Sequence, residues 1–101
     1  KHDRHNFVLY LVRKFFYLIM DPEKVKDLIL NEIADAHVEV IDTTGTKDHF
    51  SAIVISDLFI GKTMVQQHQI VYKALGRFLT NEIHALQLKT LPKDQWVKEN
   101  S

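Results

Sequence analysis

The chain has no cysteine, only three glycines, two prolines and one tryptophan among its 101 residues. Without cysteine there is no disulfide, no thiol nucleophile, and no cluster or zinc site built on the chain's own thiolates. So little glycine and proline excludes a collagen-like or low-complexity chain. An excess of one charge is also missing, with 13 Lys and Arg against 13 Asp and Glu. The balance is uneven, however. Lys1, Arg4, Arg13 and Lys14 precede Met20 against Asp3 alone, and from Met20 onward twelve acids face nine bases. A domain that works mainly on phosphate backbones carries a basic surplus, which this stretch lacks. A long uncharged apolar run is absent too. Asn6 to Met20 reads NFVLYLVRKFFYLIM, with Arg13 and Lys14 in its middle, and falls short of the roughly 20 apolar residues that span a bilayer. No membrane partner is expected.

What is present is ordinary globular material, 46% hydrophobic and 26% charged, enough for one domain with a single modest core. Residues 1–19 are expected to be an N-terminal extension, with residues 20–101 the functional domain. The extension reads as upstream sequence ahead of Met20 or, being basic and acid-poor, as the end of an organelle-targeting segment. Its plain structural reading is a hydrophobic helix packed on the domain or on a second copy of it. The expected compartment is the cytoplasm, or a mitochondrion or other organelle if the extension is a targeting segment.

Asp21-Pro22-Glu23 is a helix start: an N-cap acid, a proline suited to the first helical position, and an acid in the first turn. Val25, Leu28, Ile29 and Ile33 then recur at helical spacing, predicting a helix that ends near Ala36. His37 to Asp42 is β-branched and partly alternating, a strand. Thr43 to Asp48, with Gly45, is a hairpin loop. Phe50 to Ser56 is a second strand, apolar on both faces and therefore central. Thr63 followed by Gln66 is a capping box that opens a helix through Val65, Ile70, Val71 and Leu75. Gly76 breaks it, and a shorter helical piece follows around Phe78 and Leu79. His84 to Thr90 is a third strand with Leu86 and Leu88 on one face. Pro92 to Trp96 is expected to form a terminal helical turn, with Trp96 folded onto the core beside Phe50, Phe59 and Phe78.

The order is α-β-β-α-α-β, an α/β (α+β) domain with a three-stranded mixed sheet and its helices on one face. The first two strands pair antiparallel across a short loop. A right-handed crossover lays the second and third parallel. If those two are neighbours, their N-terminal ends lie together, and that is where His49 and His84 stand. On spacing alone, each is more simply a strand-end or hairpin histidine satisfied by backbone or solvent. His68, in the middle of the long helix, reads as a packing or surface residue. His37 belongs at the far end of the sheet. Phe59-Ile60-Gly61-Lys62 has too few glycines for a P-loop or for the Gly-x-x-Gly grip on nucleic acid. Ser56-Asp57 lacks a nucleophile-elbow setting, and no pair of acids has the spacing of a general acid and base. No enzyme is expected.

Certain residues carry a family pattern in order: His49-Phe50, Val54-Ile55-Ser56, Phe59, Gly61, His68, Val71-Tyr72 and Leu75, then Ile83-His84-Ala85-Leu86, Thr90, Pro92 and Trp96. They resemble the BolA family, over about four fifths of the chain. The resemblance implies a fold similar to class II KH domains and a partnership with monothiol glutaredoxins. In such pairs a [2Fe–2S] cluster is shared, the glutaredoxin bringing a cysteine and a glutathione thiolate. The BolA side brings a histidine before the third strand, matched by His84, and a histidine or cysteine from the loop before the second, matched by His49. Thr46 lies where some members have cysteine. The chain departs from many members in the long helix, reading Gln67-His68-Gln69 where they read Arg-His. That weakens the alternative of a KH-like nucleic-acid-binding regulator using Lys62 and His68.

The implied chemistry is coherent. Neutral imidazole ligates iron, and its second nitrogen needs a partner that fixes the tautomer. Two histidines in place of two thiolates raise a cluster's potential, as in Rieske centres, and make ligation sensitive to mildly acid pH. Two histidines supply half a ligand set, so the isolated chain, a monomer or weak homodimer, is expected to hold little iron. A role in iron homeostasis, or in cluster assembly and delivery, follows from the resemblance.

Overall fold

The structure is a computed structural model that describes residue 8, residues 20–79 and residues 81–101. The expectations for residues 1–19 fall, Val8 apart, outside the described residues. Among the described residues no helix is long and apolar enough to cross a membrane.

Helix α1 runs from Pro22 to Glu32, with the Asp21 carboxylate accepting from the Lys24 N–H at 2.8 Å. It ends before Ala36, contrary to the expectation. Ile33 has left the helix (φ −123°, ψ 78°) while its N–H still bonds the Ile29 carbonyl. Ile33 is nonetheless buried, so its apolar spacing marks a core position and not helix membership. Strand β1, His37–Asp42, has the expected bounds. Strand β2, His49–Ile55, and strand β3, Ala85–Leu91, are each displaced by one residue from expectation. Helix α2, Met64–Leu75, opens on the Thr63–Gln66 capping box and closes at Gly76, whose positive φ of 54° suits glycine. The expected short third helix is a 3₁₀ turn, Gly76–Phe78.

The sheet order is β1-β2-β3, with β2 central as its two-faced apolar run predicted. β1 pairs antiparallel with β2, Val38 opposite Val54. β2 pairs parallel with β3, His49 opposite Ala85 and Ile55 opposite Leu91. One core joins Val25, Ile29 and Ile33, the strand residues Val38, Phe50 and Val54, Val71 and Leu75 of α2, and Phe59, Phe78 and Ile83. Burying each large side chain stabilises by about 1.5–3 kcal/mol.

A buried polar contact ties this core together. The Gln67 amide donates to the carbonyls of Phe59 (3.3 Å) and Lys62 (3.0 Å), and Thr90 donates to its oxygen at 2.6 Å. Gln67 thus fixes the turn before α2 to strand β3. The C-terminal residues depart from expectation. They form helix α3, Lys93–Glu99, with no buried residue, and Trp96 is half-buried and outside the core. Lys89 reaches Glu99 at 3.3 Å, so α3 is held along β3 by an exposed pair, a weak tether.

Candidate metal centre

The loop before β2 is built by one acid. Asp42 Oδ1 accepts from the N–H of Gly45 (2.9 Å) and Thr44 (3.3 Å), and Oδ2 from that of Lys47 (2.9 Å). Gly45 and Lys47 both have positive φ, 76° and 61°. Glycine adopts this at no steric cost, whereas lysine does not; the bond to Asp42 holds it. At the loop's end the Thr43 N–H and hydroxyl both donate to the His49 carbonyl, at 2.9 and 3.1 Å.

The parallel register then decides what meets what. With His49 opposite Ala85, Asp48 falls opposite His84. The Asp48 carbonyl accepts from the N–H of His84 (2.7 Å) and Ala85 (3.2 Å). Its side chain lies between two rings. His49 Nδ1 donates to Oδ1 at 2.8 Å, and His84 Nδ1 stands 3.2 Å from Oδ2. The ring centroids are 6.2 Å apart and the rings nearly perpendicular, at 84°. The Thr46 hydroxyl also donates to Oδ1. Chiefly that hydroxyl, then the His49 hydrogen bond, hold the Asp48 carboxyl below its ordinary pKa, against the opposing effect of desolvation.

The side chains are 42% exposed at His49, 58% at His84 and 27% at Asp48. The two imidazoles are therefore open to a second molecule while the acid between them is partly covered. With Nδ1 engaged, Nε2 is the nitrogen with a lone pair for a metal. Imidazole nitrogen is a ligand that iron accepts, and this pair brings two of them. Among the described residues no group of three or more His, Asp and Glu forms a metal site of its own.

The two predicted ligands are thus brought together, and the other candidates are not part of the pair. His68 lies on α2, its ring packed edge-on against Tyr72 at 6.0 Å and its buried Nε2 without a hydrogen-bond partner among the described residues. Lys62 is exposed in the turn before α2. His37 pairs with Ile55 at the opposite end of the sheet, 2.7 Å from the Glu39 carboxylate. Sequence reasoning missed Asp48 and Asp42. Asp48 had a usable signal, an acid beside a candidate ligand, because ligating histidines commonly donate to a carboxylate. Asp42 could have been read as the start of an Asx turn before Thr-Thr-Gly.

Fold and site together define a small α+β module with two exposed imidazoles at the starts of adjacent parallel strands. The chain belongs to the BolA-like protein family, whose model matches residues 23–95. It is 35% identical to human BolA-like protein 2 over 82 residues, covering 79% of this chain and 94% of that protein. It is 26% identical to the Escherichia coli protein named DNA-binding transcriptional regulator BolA, over 77% of this chain and 81% of that one. A crystal structure of a bol-like protein from Babesia bovis superposes with a TM-score of 0.72 at 23% identity, covering 82% and 96% of the two chains. That likeness establishes the fold. Neither named relative bears an enzyme's name. The likeness to class II KH domains rests on the sequence resemblance alone.

Proposed function

We propose that this chain is a non-enzymatic partner module that co-ligates a [2Fe–2S] cluster with a monothiol glutaredoxin and glutathione, in iron homeostasis or in cluster assembly and delivery in the cytoplasm. The observation that carries the reading is the pairing of His49 and His84 at neighbouring strand starts, both exposed, with each Nδ1 close to Asp48 and each Nε2 left as donor. The cluster, when bound, would supply electron exchange at a potential raised by imidazole ligation. The chain's own part is geometric. β2 and β3 set the spacing of the two rings, Asp48 orients them, and the incoming protein supplies the thiolates this chain lacks. Family membership supports the reading.

The test is a titration of this chain into cluster-loaded monothiol glutaredoxin with glutathione, followed by visible circular dichroism. A new spectrum saturating at one to one, lost in His84→Ala and weakened or lost in His49→Ala, supports co-ligation. An unchanged spectrum in all three sinks it for that partner.

A second reading, nucleic-acid binding by Lys62 and the α2 surface carrying His68, is favoured by the name of the Escherichia coli relative. The acidic balance from Met20 onward opposes it. A gel shift that vanishes at moderate salt, shows no sequence preference and is indifferent to Lys62→Ala would dispose of it.

A further inference from the structure

We propose that Asp48 is the positioning residue of this site: its one carboxylate imposes the same tautomer on both histidines, so that both offer Nε2 outward to the partner's iron. This rests on the cluster reading above and deepens it.

A carboxylate accepts hydrogen bonds and donates none. Asp48 directs one oxygen to each ring, Oδ1 to His49 at 2.8 Å and Oδ2 to His84 at 3.2 Å. A proton on Nδ1 makes the His49 contact a hydrogen bond and the longer His84 contact an electrostatic attraction, and leaves the lone pair of each ring on Nε2. Two rings served by separate groups could differ in tautomer; two rings served by one carboxylate cannot without losing a contact. The arrangement is itself fixed. The Asp48 carbonyl is held by the backbone N–H groups of His84 and Ala85, and the Thr46 hydroxyl donates to the carboxylate. Backbone and side chain of one residue thus link both ligands, one next to it in sequence and the other across the parallel register.

The informative substitution is Asp48→Asn. An amide keeps the shape but offers one acceptor and one donor end. Its oxygen can serve one Nδ1–H, while its NH₂ requires a lone pair on the other Nδ1. That ring must carry its proton on Nε2 and cannot ligate there. The longer contact belongs to His84, which is the ring expected to switch. Asp48→Glu keeps two acceptors and serves as the conservative control.

The first readout needs no cluster. Long-range ¹H–¹⁵N correlation spectra of the apo chain at mildly alkaline pH report the tautomer of each ring. The wild type and Asp48→Glu should show Nδ1–H at both His49 and His84, and Asp48→Asn should show one ring switched to Nε2–H with the backbone amide spectrum otherwise preserved. The second readout is the circular dichroism titration, in which Asp48→Asn should weaken cluster sharing by about 10- to 100-fold, as expected for loss of a ligand's carboxylate partner. Tautomers alike in wild type and Asp48→Asn overturn the proposal, as does a switched ring with unchanged cluster affinity. If His84→Ala leaves the spectrum unchanged, the cluster reading has failed, and the tautomer spectra still judge Asp48. If His84→Ala abolishes the spectrum while Asp48→Asn matches the wild type, the cluster reading stands and the positioning role falls.

Discussion

His84 is tied to Asp48 twice, its amide donating to the Asp48 carbonyl at 2.7 Å and its ring Nδ1 standing 3.2 Å from the carboxylate. Only the second tie depends on the side chain. Because the backbone bond survives truncation and the side chain is 58% exposed, His84→Ala should change stability by no more than about 0.5 kcal/mol. Urea unfolding of the two chains checks this. A loss well beyond that range would make His84 a structural residue first.

Asp42 should matter to the site without touching it. Asp42→Ala removes the acceptor of three backbone N–H groups and the support for Lys47 at positive φ. The expected cost is about 1 kcal/mol or somewhat more, with Asp42→Asn milder. NMR should show the His49 ring signals broadened or shifted in the Ala variant, while those of His37 at the far end of the sheet stay in place.

Thr90 and Gln67 form a buried pair, 1% and 8% exposed, joined at 2.6 Å. Thr90→Val leaves the Gln67 oxygen without this donor and should cost about 1–3 kcal/mol. Gln67→Leu also releases the Phe59–Lys62 turn and should cost at least as much. The double variant should lose less than the sum, as coupled neighbours do. Simple additivity in denaturant unfolding would show that the two side chains do not act together.

Asp35 should make part of the fold acid-sensitive. The Ser56 hydroxyl, donating at 2.6 Å, holds its carboxyl below the usual range, aided by the Asp57 N–H and the Lys93 ammonium and opposed by desolvation. A folded pKa below the unfolded one means that the unfolded chain binds the proton more readily. The contribution to stability is then complete above the ordinary carboxylate value of about 3.9 and is lost as pH falls through the lower folded value. The urea midpoint of Asp35→Asn should therefore fall less steeply than the wild type's between about pH 5 and pH 2. Asp48 is shifted in the same direction, so part of the slope should remain. Identical slopes in both chains would remove Asp35 from the account.

The local elements were readable because their signals are local. Asp21-Pro22 and the Thr63–Gln66 box start helices through contacts within a few residues. Gly76 ends α2 because of its own backbone freedom. The errors fall where a residue's burial is tertiary. Ile33 looked helical because it packs in the core. Trp96 looked like core because it is large and aromatic, yet α3 lies outside the core cluster, with Glu99 paired to Lys89. The strand limits moved by one residue because pairing with a neighbour, and not composition, decides where a ladder begins.

The candidate site divides in the same way. His49 and His84 were legible as strand-start histidines and from the resemblance that names both as ligands. Asp48 carried only the signal of an acid next to a candidate ligand, which does not say that it also reaches the second histidine. It became part of the site only when the parallel register set it opposite His84. The sequence by itself determined the element order, the central strand, the lack of thiolates and the family. The tertiary structure alone decided that residues 35 positions apart, 49 and 84, share one carboxylate, because hydrogen bonding between β2 and β3 sets which loop ends meet.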